Sequence, residues 1–136
     1  ISLIGKFHTV KPNKIEAELI SGIKITNEES MLKAAKIIFE KGCSQIFITL
    51  GQEGVFYFDD KEHGIYVFEG ANVKSANGAG DAFTAGVVYG HLKLSSIKET
   101  VKFASAAAII ALRSKNTISE KLSEQSVKLL LEEERL

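Results

Sequence analysis

A single cysteine, Cys43, excludes an internal disulfide framework and suits a reducing, cytoplasmic compartment. Its place between a predicted helix and an apolar strand fits a small core residue better than a nucleophile. Charge of one sign is not in excess either. The 17 Lys and Arg stand against 17 Asp and Glu, which removes the electrostatic footprint of a nucleic-acid or anionic-membrane partner. No apolar run approaches the roughly 20 residues that cross a bilayer, and the start lacks a basic n-region and cleavage site. His8, His63 and His91 show no ligand spacing to one another or to Cys43. Internal repeats and low-complexity linkers are also missing. Two phosphate-binding signatures fail on spelling: there is no Gly-x4-Gly-Lys-Ser/Thr, and Gly78-x-Gly80 is followed by Phe83 where a dinucleotide fingerprint requires its third glycine.

What remains is a chain of 136 residues, 45% of them hydrophobic, enough for one domain with a modest core. Phe7 to Lys11 reads as a short strand stopped by Pro12. Asn13 and Glu16 form a capping box for a helix to about Ile20, with Gly22 as its stop. Thr26 and Glu29 are the corresponding expectation for a second helix, which runs to Lys41 and buries Met31, Leu32, Ala35, Ile38 and Phe39. Gln45 to Leu50 is apolar almost throughout, the mark of a strand covered on both faces. Gly51-Gln52-Glu53-Gly54 leaves that strand at its C-terminal end, where open α/β sheets place ligands. Strands at Val55 to Phe58 and Ile65 to Phe68 then flank a charged surface turn, in which the adjacent Asp59 and Asp60 point to opposite sides and make a poor metal pair.

The densest chemistry lies between Val73 and Gly90. Gly78, Ala79 and Gly80 carry almost no side chain and open a helix, so an anion can approach amides that lack intrahelical partners. Asp81, in the first turn, is favoured as a carboxylate by the same field. In a phosphoryl transfer such an acid orients an acceptor hydroxyl and takes its proton while the amides steady the moving group. A plain strand-to-helix turn with an ordinary first-turn acid explains the same residues. The helix continues to about His91, with Ala82, Ala85, Gly86 and Tyr89 leaving its backbone approachable. Ser96 and Glu99 cap a further helix, Ile97 to Leu112, apolar nearly all round in its middle. A last amphipathic helix is expected from Glu124 to Glu133, burying Val127, Leu130 and Leu131.

Asn77-Gly78-Ala79-Gly80-Asp81-Ala82-Phe83, followed by Ala85-Gly86, resembles the C-terminal signature of the ribokinase-like (PfkB) carbohydrate and nucleoside kinases. Lys11-Pro12-Asn13-Lys14-Ile15-Glu16-Ala17-Glu18 is similar to that family's Pro-Asn-x-x-Glu element. Ile48-Thr49-Leu50-Gly51-Gln52-Glu53-Gly54-Val55 is similar to its Thr-x-Gly-x-x-Gly nucleotide loop, and the three occur in the family's order. The resemblance implies an α/β fold of the three-layer α/β/α kind, here its C-terminal, nucleotide-binding half, with a mostly parallel sheet plus a β-hairpin. Residues 1–136 are therefore expected to be a single domain, the ATP-binding portion of a larger kinase.

On the same resemblance, Thr49, Gly51 and Gly54 bind ATP, and Ser105 stands where many relatives carry an Asn near the nucleotide. Asn13 and Glu16 face the phosphates, with Glu16 organising water ligands of Mg²⁺. The amides of Gly78, Ala79 and Gly80 take the developing charge, and Asp81 is the base. Ser75-Ala76-Asn77 replaces the family's Asp-Thr-Thr, which shapes a loop that often holds a monovalent cation, so K⁺ dependence stays open. Lys11-Pro12-Asn13 joined to Glu16 through Ile23 looks most like the pseudouridine kinase branch, which phosphorylates the ribose 5′-hydroxyl. Another sugar such as ribose or fructose, or a noncatalytic ATP-binding module, remains the alternative. The implied partners are a small sugar or nucleoside and, for the full-length protein, a second copy in a homodimer, with neither nucleic acid nor membrane.

Overall fold

A computed structural model of the chain describes residues 7–67, 79–93, 96–113, 127–129 and 131–132. The chain divides into two compact units, Ile1–Tyr66 and Val67–Leu136. In the first unit the strand expected from Phe7 is short, β1 spanning Thr9–Val10, and Phe7 is exposed. Helix α1, Lys14–Ser21, starts as its sequence demands. Asn13 is extended, the Glu16 N–H donates to Asn13 Oδ1 at 2.8 Å, and the Asn13 N–H donates to Glu16 Oε1 at 2.8 Å. Gly22 ends it at φ 76°, a left-handed conformation suited to glycine, and donates its N–H to the Glu18 carbonyl at 2.8 Å. The Glu18 carboxylate reaches on to the Ile25 N–H at 2.8 Å and fixes the connection to the next helix.

Helix α2, Glu28–Glu40, begins one residue later than its expected box. Its N-cap is Asn27, not Thr26, and the reciprocal partner is Ser30, not Glu29: the Ser30 N–H donates to Asn27 Oδ1 at 2.8 Å and the Asn27 N–H to Ser30 Oγ at 3.0 Å. Asn outranks Thr as a cap, and a serine hydroxyl three residues on closes the same ring a Glu would. Met31, Ala34, Ala35 and Ile38 are buried, with Leu32 and Phe39 packed beside them.

Strand β2, Gln45–Thr49, pairs parallel with β1, Thr9 opposite Gln45. The Ser44 and Gln45 N–H groups both donate to the His8 carbonyl at 2.9 Å and pin its entrance. Ile46, Phe47 and Ile48 are all fully buried, as a strand covered on both faces requires. Strand β3, Val55–Phe58, returns antiparallel to β2, and β4, His63–Tyr66, is antiparallel to β3, giving the order β1-β2-β3-β4. The sheet of the described residues is thus mixed, a parallel pair β1–β2 with the expected hairpin hydrogen-bonded directly onto β2. The strand expected at Ile65 to Phe68 starts earlier. Asp59 Oδ1 accepts the Lys61 and Glu62 N–H groups, each at 2.8 Å, which tightens the turn so that Phe58 already faces His63. Ile46, Ile48, Phe56 and Phe58 point to one side of the sheet and meet Ala17, Ala34, Ala35, Ile38 and Cys43 in one core.

The described residues of the second unit centre on two helices. Helix α3, Ala79–Lys93, and helix α4, Ile97–Arg113, come very close: a Cβ added to Gly86 would lie 2.6 Å from Ala104 Cα, and one on Gly90 2.4 Å from Thr100 Oγ1. The Glu99 N–H donates to Ser96 Oγ at 3.1 Å, the cap expected from the sequence. Ala82, Phe103, Ala106, Ala107, Ile109, Ala111 and Val127 form this unit's core, with Tyr89 stacked on Phe103 at 4.3 Å between ring centroids. Residues 127–129 and 131–132 are helical, inside the expected last helix; the rest of its span, Leu130 included, lies outside the described residues. Among the described residues no helix is long and apolar enough to cross a membrane.

Candidate functional site

Two of the expected site residues, far apart in sequence, meet in the first unit. Beyond the end of β1 the chain makes one more parallel bridge to β2, Asn13 opposite Thr49, and the Thr49 N–H donates to the Pro12 carbonyl at 2.9 Å. Parallel pairing sends both strands out at the same edge, so the helix cap after β1 and the loop after β2 leave side by side. A cavity of about 400 Å³ opens at that edge. Asn13, Lys14 and Ile15 form one wall, Thr49, Leu50 and Glu53 a second, and Ile25 through Glu28 with Met31 a third; Ile65 completes the lining. Buried Ile25 and Met31 make part of this lining apolar, while Asn13, Thr26, Asn27 and Thr49 supply polar groups. A few convergent polar groups against an apolar surface is the usual character of a small-molecule site.

Hydrogen bonding limits what each group has left to offer. Asn13 Oδ1 and Glu16 Oε1 are engaged in the capping box, which leaves the Asn13 side-chain amide as a donor and Glu16 Oε2 as an acceptor. Gly51–Glu53 forms a 3-10 turn, with Gly51 at φ 63° and Gly54 at φ 102°, conformations that favour glycine. The Leu50 N–H donates to the Gly54 carbonyl at 2.9 Å and the Gly54 N–H to the Gly51 carbonyl at 3.3 Å, so the loop is closed on itself. Nothing lies within 4 Å of a Cβ placed on Gly51, which leaves its face open to an approaching ligand.

No cluster of three or more His, Cys, Asp or Glu suited to a metal occurs among the described residues. Glu16 with one uncommitted carboxylate oxygen still fits Mg²⁺, which is commonly held by one or two carboxylates together with substrate phosphates. Asp59 takes no part, its carboxylate being used by the turn. Burial pushes the Cys43 thiol above its ordinary 9.0, which keeps it protonated and unreactive in the core.

In the second unit, Ala79 and Gly80 open α3, and Asp81 follows in the same first turn. Gly78 and the Ser75-Ala76-Asn77 departure lie outside the described residues, as does the Asp81 side chain. Ser105 is buried in α4, and its Oγ has no hydrogen-bond partner among the described residues. A buried hydroxyl left without any partner costs about 1–3 kcal/mol.

The three motifs, the mixed sheet and the edge cavity can be set beside known proteins. A family model described as pfkB family carbohydrate kinase matches residues 2–124. The chain belongs to that family. Curated relatives include the pseudouridine kinase of Escherichia coli, 33% identical over 95% of this chain and 42% of the relative. The ribokinase of Haemophilus influenzae is 33% identical over 86% of this chain and 38% of the relative. The chain therefore spans about two fifths of the length of these relatives. Among solved structures, Arabidopsis thaliana ribokinase, complexed with ribose and ATP, superposes with a TM-score of 0.80 at 27% identity, over 95% of this chain and 42% of that one. A candidate sugar kinase from Clostridium perfringens gives 0.84 at 34% identity, over 98% and 41%. The fold is accordingly the ribokinase-like α/β fold of the family.

Sequence reasoning had named Asn13, Thr49 and the Gly51 to Gly54 loop, but it missed the third wall of the cavity. Thr26, Asn27 and Glu28 read as an ordinary helix start. The available signal was topological: a loop between two helices packed on a parallel strand pair ends at the same edge as the strands.

Proposed function

We propose that residues 1–136 are the ATP-binding portion of a larger kinase domain that transfers a phosphoryl group to a hydroxyl of a sugar or nucleoside. The observation that carries this reading is the pairing of Asn13 with Thr49 at the mouth of one cavity. It brings residues of two separate family motifs within reach of one polyphosphate. Thr49, Gly51, Gly54 and Ser105 bind the nucleotide in this scheme. Asn13 presents its side-chain amide to phosphate, and Glu16 Oε2 faces the metal shell. Mg²⁺ bound with ATP supplies charge neutralisation on the phosphate oxygens.

The acceptor hydroxyl oxygen bonds to the γ-phosphorus as the bond from that phosphorus to the ADP oxygen breaks, and the hydroxyl proton passes to the Asp81 carboxylate. Amides of Gly78, Ala79 and Gly80 stabilise the charge on the moving group. The preferred acceptor is the 5′-hydroxyl of pseudouridine, supported by the Lys11 to Ile23 spelling and the 33% identity to a pseudouridine kinase. Equal identity to a ribokinase keeps ribose as the second candidate.

In the intact protein, Asp81→Asn is expected to lower turnover by about 10²–10⁴-fold with little change in ATP affinity. Near-normal turnover removes Asp81 from the reaction. A panel of pseudouridine, ribose and fructose with MgATP, run with and without K⁺, identifies the acceptor. Binding of ATP with no phosphorylation of any acceptor would leave a nucleotide-binding module instead.

A further inference from the structure

The third wall of the edge cavity is built largely from the connection between α1 and α2, so its place depends on bonds from side chains rather than on a ladder of its own. Among the described residues, several of its amides are taken up locally. The Ile23 N–H donates to Ser21 Oγ at 3.1 Å, and the Thr26 and Asn27 N–H groups donate to Ser30 Oγ at 2.8 and 3.0 Å. The Ile25 N–H is different: it donates to Glu18 Oε2 at 2.8 Å, seven residues back on α1. Ile25 is itself buried and lines the cavity beside Met31, while Asn13, on another wall, caps the same helix that carries Glu18. A carboxylate in the last turn of a helix opposes the helix dipole, which favours cations there, and α1 already has its stop in Gly22. The stability of α1 therefore does not explain Glu18, whereas its grip on Ile25 does.

We propose that Glu18 is a positioning residue for the nucleotide, holding the third wall of the cavity in place relative to Asn13 and Thr49 through the Ile25 amide. The proposal rests on the ATP-binding reading above. Glu18 does not line the cavity and acts only through Ile25. Without that bond, the connection from Gly22 to Thr26 gains backbone freedom that a bound nucleotide must remove again, and the ordering cost falls on binding. The chemical step, which belongs to Asp81 and its neighbouring amides in this scheme, is spared. The signature is a higher KM for ATP at nearly unchanged kcat.

The test is steady-state kinetics of the intact protein with MgATP and the acceptor that the panel above identifies, for wild type, Glu18→Ala, Glu18→Gln, Glu18→Asp and Ile38→Val, with denaturant midpoints measured alongside. Glu18→Ala is expected to raise the KM for ATP by about tenfold, the size of one charge-assisted hydrogen bond, with kcat and the acceptor KM within about twofold of wild type. Glu18→Gln keeps an oxygen acceptor at the same reach and should recover much of the loss; Glu18→Asp, one methylene short, should not. Ile38→Val thins the core at a residue that does not line the cavity, so it should lower the denaturant midpoint and leave both KM values alone. Should Glu18→Ala fail to fold, the contrast between Glu18→Gln and Glu18→Asp decides. Unchanged KM for ATP in Glu18→Ala overturns the assignment while the ATP-binding reading stands. A KM raised as much in Ile38→Val, or a Glu18→Gln variant no better than Glu18→Asp, also overturns it, by marking general damage to the fold. A wild-type protein that neither binds nor uses ATP overturns both.

Discussion

The two units solve the same packing problem with opposite materials. In the first, large side chains such as Ile46, Ile48, Phe56 and Phe58 fill the space between a sheet and two capped helices. In the second, small residues let two helices come close, Gly86 against the Ala104 backbone and Gly90 against the Thr100 side chain. Long side chains can readjust when a neighbour changes, whereas a backbone contact yields only if a whole helix moves. The first unit should therefore tolerate local change around its cavity, and the second should not tolerate change at its crossing.

The sharpest break of that contrast is Gly86→Ala. Alanine is the better helix former by about 1 kcal/mol, yet its Cβ would arrive 2.6 Å from Ala104 Cα. Overpacking should outweigh the propensity gain and leave a net loss of about 2 kcal/mol, read from denaturant midpoints. A stabilised variant would mean that the helices do not meet as described.

Next in size is the Asn13 cap. Asn13→Ala should cost about 1 kcal/mol by leaving the Glu16 N–H without its partner. Asn13→Asp keeps the cap acceptor but loses the amide donor and adds negative charge, so stability should hold while ATP binding weakens. Parallel loss of both properties in the two variants would reduce Asn13 to a cap.

Gly64→Ala completes the comparison at smaller scale. Its Cβ would meet Tyr57 Oη at 2.7 Å, a side-chain end rather than backbone, and the expected loss is about 1 kcal/mol, below that at Gly86. A loss as large as that at Gly86 would show that the first unit is no more forgiving than the second.

The smallest effect is alkaline. Burial first, and then the Glu62 carboxylate, raise the Tyr57 hydroxyl above its ordinary 10.0. The folded state thus keeps a proton that the unfolded state releases. Tyr57 contributes this stability in full below the unfolded value, and it is lost as pH rises from there through the folded one. Denaturation midpoints followed upward from about pH 9 should fall less steeply in Tyr57→Phe.

Local signals explain most of what could be foreseen. The Asn13 to Glu16 cap and its Gly22 stop need only residues within one helix, and the buried run of β2 needs only composition. The α2 cap went to Asn27 and Ser30 because two templates overlapped by one residue, and the choice depended on relative acceptor strength. The hairpin was legible too, because the glycines of Gly51 to Gly54 suit a turn into Val55 to Phe58, although its register on β2 was not. The Asn13–Thr49 pairing was legible as two family motifs but not as a distance, because it is made by sheet register.

Helix α1 has a further consequence. At one end it carries Asn13; near the other, Glu18 grips the Ile25 amide, and both Asn13 and Ile25 border the same opening. Two jambs of one doorway hang from a single short bar. A residue inserted within that bar would turn one end by about 100° against the other, so the width of the doorway is written in the helix's length.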